Sequence, residues 1–148
     1  MNTVEEILDY AIGQEEEAAA FYAALARRAE QAGMREILLE FSAEENRHKQ
    51  QLLRVKQGES RLAPDREVVD LRISDYLVEV AATDDLSYQD ALIIAMKREQ
   101  AAYRLYTDMA EKVPEGALRD VFTGLASEEA GHKLYFESRY DEEVFSDN

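Results

Sequence analysis

No cysteine occurs among the 148 residues. Disulfides, iron–sulfur clusters, any other thiolate-held iron and cysteine nucleophiles are therefore excluded for this chain. Only 2 prolines and 6 glycines are present, too little turn punctuation for an all-β fold. Positive charge is scarce as well: 17 Lys and Arg against 32 Asp and Glu give a net charge of −15. A chain this acidic is repelled by nucleic acid and by anionic membranes, so neither is expected as a partner. No apolar run approaches the ~18 residues of a membrane-spanning helix. The first residues, Met1 to Ile12, are amphipathic and acidic rather than basic and then apolar. No signal peptide is expected there, and the expected location is cytoplasmic.

What is abundant is helix-forming. Ala, Glu, Leu and Arg dominate, and these residues lose little on entering a helix. The length suits one domain over residues 1–148. Four stretches carry an apolar stripe at the helical period. The first runs from about Val4 to Ala29, with capping-box spacing between Thr3 and Glu6. Its stripe is Val4, Leu8, Ala11, Glu15, Ala18, Tyr22, Leu25 and Ala29. The second follows Gly33 and stops near Gly58, with the stripe Ile37, Phe41, Glu45, His48, Leu52 and Val55. The third follows Ser87, with Leu92, Met96, Glu99, Ala102, Tyr106, Met109 and Val113 in line. The fourth begins after the Pro114–Gly116 turn and reaches about Tyr140, along Leu118, Phe122, Leu125, Glu129, His132 and Phe136. Residues 141–148 read as an acidic, frayed tail.

The turns at Gly33 and Pro114 are short, so helices one and two, and three and four, form antiparallel hairpins. Between them, about 58–87, lies a long connection expected to be irregular with one short helix. It is ample to run the length of a helix, which makes the second and third helices parallel. The expected fold is thus all-α: a ferritin-like four-helix bundle of two antiparallel hairpins joined by a long crossover.

The hairpins repeat each other. Adding 84 maps Glu15 onto Glu99, Glu45 onto Glu129, His48 onto His132 and Tyr22 onto Tyr106. Each second helix carries E-x-x-H, whose ends share one helical face, and here that face is the apolar one. Each first helix adds a glutamate at similar depth. Six groups, Glu15, Glu45, His48, Glu99, Glu129 and His132, should therefore converge in the core. Four carboxylates buried together without compensation would each cost several kcal/mol. Two divalent cations would balance them. Oxygen and imidazole donors without thiolate suit iron or manganese. A single glutamate on an apolar stripe is more often an edge residue, and a single core histidine more often a hydrogen-bonded one. Only 2 histidines exist in the chain, and both stand in E-E-x-x-H at matching places. Glu44 and Glu128, which precede the stripe glutamates, face away from the stripe as exposed residues or partners of the ligands. Tyr22 and Tyr106 are either satisfied core residues or donors that orient a carboxylate ligand.

At AIGQEEEAAAFYAALA, FSAEENRHKQQL, IAMKREQAAYRLYTDMA and LASEEAGHKLYF the chain resembles the rubrerythrin-like branch of the ferritin superfamily. The resemblance implies two iron ions, with manganese or zinc as possible substitutes. Glu15 and Glu99 would be single-carboxylate ligands, Glu45 with His48 and Glu129 with His132 the paired ones, and Glu45 and Glu129 would bridge. It also implies reduction of peroxide or dioxygen, a homodimer and, for a peroxidase, a separate electron-donor protein. Three departures matter. The rubredoxin domain of full-length rubrerythrins, rich in Cys, has no counterpart. Ala102 stands where rubrerythrins carry an extra glutamate, which leaves a symmetric four-Glu, two-His set closer to that of bacterioferritin. Asn46 replaces the methionine that holds haem in bacterioferritins, so no haem is expected. Ferroxidase activity, or iron binding and storage without fast turnover, is the alternative reading.

Overall fold

A computed structural model describes residues 2–58, 68–78 and 86–146. Four long helices form a ferritin-like bundle: α1 (Val4–Arg28), α2 (Ala32–Lys56), α3 (Tyr88–Lys112) and α4 (Ala117–Ser146). The local signals explain most of their ends. Thr3 and Glu6 close a reciprocal capping box, with bonds of 2.9 and 3.1 Å, satisfying two amides that helix geometry leaves free. Ser87 caps α3 by accepting from the Asp90 amide at 3.0 Å. After α2, Gly58 takes a positive φ of 99° and its amide bonds back to the Val55 carbonyl at 2.9 Å. Only glycine adopts that backbone at no steric cost.

The turns inside the two hairpins use the same device. Arg35 donates to the Ala29 carbonyl at 2.8 Å, and Arg119 donates to the Val113 carbonyl at 2.7 Å. Both pairs obey the 84-residue shift, so the repeat extends to how each turn is fastened. A carbonyl freed at a helix end is satisfied by a guanidinium from the next helix.

Hydrogen bonds across the bundle fix its directions. Tyr22 reaches Glu99 while Tyr106 reaches Glu15, so α1 and α3 run antiparallel. Each hairpin is itself antiparallel, which leaves α2 and α3 parallel, the arrangement a full-length crossover requires.

The core divides into two apolar clusters. One, around Leu8, Leu52, Met109, Leu118 and Phe122, fills the end where the chain starts. The other, around Tyr22, Leu38, Leu92 and Phe136, fills the opposite end. The expected stripes of α1 and α4 are buried throughout. In α2 the stripe is displaced by one residue at its start: Leu38 and Met34 are buried while Ile37 is half-buried. In α3, Met96 and Ala102 are also only half-buried.

The crossover also reaches the start of the chain: Asn2–Thr3 (β1) and Val68–Val69 (β2) form a two-residue antiparallel pair, Asn2 opposite Val69 and Thr3 opposite Val68. Among the described residues of the connection, one 3-10 turn lies at Ile73–Tyr76, where the sequence suggested a short helix at an unspecified place. Tyr76 is buried, and its hydroxyl donates to Asp108 at 2.6 Å. This tethers the crossover across α3. The rest of that connection, 59–67 and 79–85, lies outside the described residues. The tail expected to fray from Asp141 is helical to Ser146. Arg139 pairs with Glu142 at 2.6 Å at that point, a helix-spaced ion pair that supports continuation. Residues 147–148 lie outside the described region.

Candidate metal centre

The four helices bring Glu15, Glu45, His48, Glu99, Glu129 and His132 together between the two apolar clusters. All six are at most 4% exposed. They form two overlapping groups, Glu15, Glu45, His48 and Glu129, and Glu45, Glu99, Glu129 and His132. Within each group one donor atom per residue lies within 4.8 Å of the others. Glu45 and Glu129 belong to both groups, the position of residues that could bridge two ions.

Each of the six presents one buried atom without a hydrogen-bond partner: Glu15 Oε2, Glu45 Oε1, His48 Nδ1, Glu99 Oε2, Glu129 Oε1 and His132 Nδ1. Such atoms are rare in a folded interior, because an unpaired buried polar atom costs roughly 1–3 kcal/mol. His48 Nδ1 stands 2.9 Å from Glu129 Oε1, and His132 Nδ1 stands 3.0 Å from Glu45 Oε1. The atoms are close but do not point along hydrogen bonds. Convergent oxygen and imidazole donors with unspent lone pairs fit divalent metal.

The atoms that do not face the centre are held from outside. Tyr22 on α1 donates to Glu99 Oε1 on α3, and Tyr106 on α3 donates to Glu15 Oε1 on α1. Each tyrosine thus serves the opposite helix, not the glutamate two turns earlier on its own. Burial first, and the adjacent carboxylates next, push both phenols well above their ordinary range. They remain donors. The two histidines are crossed in the same manner: His48 Nε2 meets Glu128, and His132 Nε2 meets Glu44. With a metal ion on Nδ1, Nε2 would carry the hydrogen and donate it to that carboxylate. A carboxylate in that place fixes the tautomer and raises the ligand's basicity.

The sequence left Glu44 and Glu128 as either exposed or supporting. Their signal was the doubled glutamate of E-E-x-x-H in both halves. Recognising the pairing needed the antiparallel contact of α2 with α4, which sets residue 44 against 132 and residue 48 against 128. Phe41, half-buried, stacks on His132 with ring centroids 4.0 Å apart, a contact the stripe did not specify.

Without metal the centre holds protons. Burial, then Glu15 and Glu99, raise Glu45 well above the carboxylate range; burial, then Glu99 and Glu15, do the same to Glu129. Burial pulls His48 down, but Glu129 and Glu15 outweigh it and lift the imidazole to about 10. His132 is likewise raised by Glu99 and Glu44 against its burial.

A cavity of about 30 Å³ opens onto the centre from the α1/α3 side. All four glutamates line it, together with Tyr106, Ala102, Arg98 and Tyr76 of the crossover. That space admits a water or a ligand of two heavy atoms.

Bundle and cluster together define a ferritin-like protein with a buried Glu/His group able to hold metal. The rubrerythrin family model matches residues 6–140, and the chain belongs to that family. The bundle is also similar to a solved structure of a hypothetical protein from Pyrococcus furiosus. The TM-score is 0.72 and the identity 24%, over 95% of this chain and 89% of that one; this likeness concerns the fold. No curated protein matches the chain. Among the described residues, no helix is long and apolar enough to cross a membrane.

Proposed function

We propose that the chain is a non-haem di-iron oxidoreductase that reduces peroxide or dioxygen. The observation that carries this reading is the set of six inward donor atoms, each without a partner, in two groups that share Glu45 and Glu129. Glu15 with His48 would hold one ion, Glu99 with His132 the other, and Glu45 and Glu129 both. Bound ferrous iron would supply the electrons for cleaving an oxygen–oxygen bond.

The chain's own part is positional and electrostatic. Four carboxylates balance the charge of two divalent ions, which an apolar core would not tolerate otherwise. Tyr22 and Tyr106 hold the outer oxygens of Glu99 and Glu15. Glu128 and Glu44 keep both imidazoles turned inward. The small cavity beside Ala102 gives a two-atom oxidant a way to the centre. Because the chain contains no cysteine, returning electrons come from a separate donor.

A ferroxidase is the second reading. It is favoured by the absence of a further carboxylate at Ala102, which leaves the donor set symmetric.

The test is to purify the protein anaerobically, load it with Fe(II), and add peroxide or air while recording the visible spectrum and iron content. Two irons per chain and the absorption of an oxidised iron pair are expected. The faster oxidant then separates peroxidase from ferroxidase. No bound iron, or only the spectrum of isolated ions, would overturn the reading.

A further inference from the structure

The ligand groups and the two tyrosines bonded to them obey the 84-residue shift, but the rings beyond them do not. Tyr22, bonded to Glu99, packs against Phe136 at 5.2 Å, and Phe136 packs against Tyr135 at 5.6 Å. Phe41 stacks on His132 at 4.0 Å and meets Tyr135 at 5.2 Å. Two short aromatic routes thus leave the centre and converge on Tyr135, which is only half-buried. In the other half the related positions hold Leu125 for Phe41, Leu52 for Phe136 and Gln51 for Tyr135. There Tyr106 has Phe122 beside it at 6.3 Å, and Phe122 is 1% exposed. Among the described residues, that route ends inside the bundle.

Leucines fill the core on the second side, so filling space does not by itself call for rings on the first. The chemical difference between the sides is oxidisability. A phenol can give up one electron and one proton; leucine and glutamine cannot under the same conditions. Ring centroids 4–6 Å apart are in van der Waals contact, which is the coupling a short electron transfer needs.

We propose that Tyr135 is the residue through which the oxidised centre draws single electrons from the protein surface, supplied by an outer-sphere one-electron donor. The proposal rests on the oxygen-reducing reading above. Dioxygen takes up four electrons and four protons in becoming two waters, and a ferrous pair gives two of those electrons. The other two pass singly. Tyr135 gives one electron to the centre and its phenolic proton to solvent. A donor such as ascorbate returns one electron and one proton and becomes the ascorbyl radical. Two such returns complete the reduction, solvent supplies the protons that reach oxygen, and Tyr135 ends unchanged.

The experiment uses the full chain loaded with Fe(II) and mixed with air, with ascorbate as the probe. Tyrosyl radical is followed by freeze-quench EPR, and oxidised tyrosines are mapped by peptide mass spectrometry. Tyr135→Phe keeps the ring and removes the oxidisable group. Phe41→Leu copies the related position and interrupts the second route. Tyr103→Phe, at an exposed phenol elsewhere on α3, is the control. Wild type should show a radical that ascorbate removes, with oxidation concentrated on Tyr135. In Tyr135→Phe, removal by ascorbate should be several-fold slower, with a smaller slowing in Phe41→Leu and none in Tyr103→Phe. Iron content and the oxidised-pair absorption report on the centre separately. If those are normal and Tyr135→Phe behaves as wild type, or if oxidation spreads evenly over exposed tyrosines, the route is overturned while the di-iron reading stands. If iron does not bind in wild type, both fall.

Discussion

His48 on α2 is steadied by a residue from the opposite hairpin: its Nε2 meets the Glu128 carboxylate of α4, while Nδ1 faces the centre. Glu44 stands in the same relation to His132. Removing the outer carboxylate should loosen the ring without touching a ligand. Glu128→Ala is expected to weaken metal affinity by about 10-fold or more, the usual effect of losing such a partner, with helix content unchanged. Competition titration with a chromophoric chelator measures it. An unaltered affinity would mean that packing alone orients His48.

Tyr22→Phe removes one hydroxyl and keeps the ring against Phe136. Glu99 Oε1 then loses its donor in a site that is 1% exposed. Leaving such an acceptor unpaired should destabilise the metal-free protein by about 1–3 kcal/mol. Urea unfolding of the metal-free variant gives the number. Tyr106→Phe should match it, because the contact with Glu15 is the symmetric one.

Metal-free protein should lose stability as pH rises. Burial, together with neighbouring carboxylates, raises Glu45 and Glu129 well above their ordinary 4.5, so the folded state keeps protons that the unfolded chain releases. Their contribution is complete below 4.5 and is lost at higher pH. His48, lifted from 6.5 to about 10 against its burial by Glu129 and Glu15, acts in the same direction. Its contribution is complete below 6.5 and disappears as pH passes about 10. Metal replaces these protons, so loaded protein should show a much flatter profile. Thermal midpoints across pH, with and without Zn(II), provide the comparison. Parallel profiles would contradict the linkage.

Ala102 borders the cavity at the centre. Ala102→Glu would place a fifth carboxylate in a space of about 30 Å³. The metal-free variant should be less stable by roughly 1–3 kcal/mol from overpacking, and access of peroxide should slow while iron content per chain stays the same. Stopped-flow oxidation of the loaded variant reads the second effect. Oxidation at the wild-type rate would show that the oxidant reaches the centre elsewhere.

Much of this was legible in the chain. A glutamate or histidine on an apolar stripe is conspicuous because burial makes it costly, and the 84-residue repeat placed all six in register. Every residue of the expected α1 and α4 stripes is buried, although Ile7, Ala19 and Ala26 on α1 and Ala126 on α4 join them. The start of α2 differs. Ile37 and Leu38 are both apolar, periodicity cannot rank neighbours, and Leu38 takes the core position. The pairings of Glu44 with His132 and of Tyr22 with Glu99 lie between hairpins, beyond what a local pattern encodes. The β1–β2 pair was also hidden, since two residues are too short for an alternating signal. The end of α4 depended on Arg139 and Glu142 in a segment whose composition reads as a tail.

Every outer support of the centre comes from the other hairpin. Tyr22 and Glu44 in the first serve Glu99 and His132 in the second; Tyr106 and Glu128 return the favour to Glu15 and His48. Neither hairpin therefore owns a complete coordination shell, although each supplies half the donors. A chain cut within the crossover would become two complementary fragments whose reassembly is reported by metal uptake: a duplicated sequence has made its copies mutually dependent.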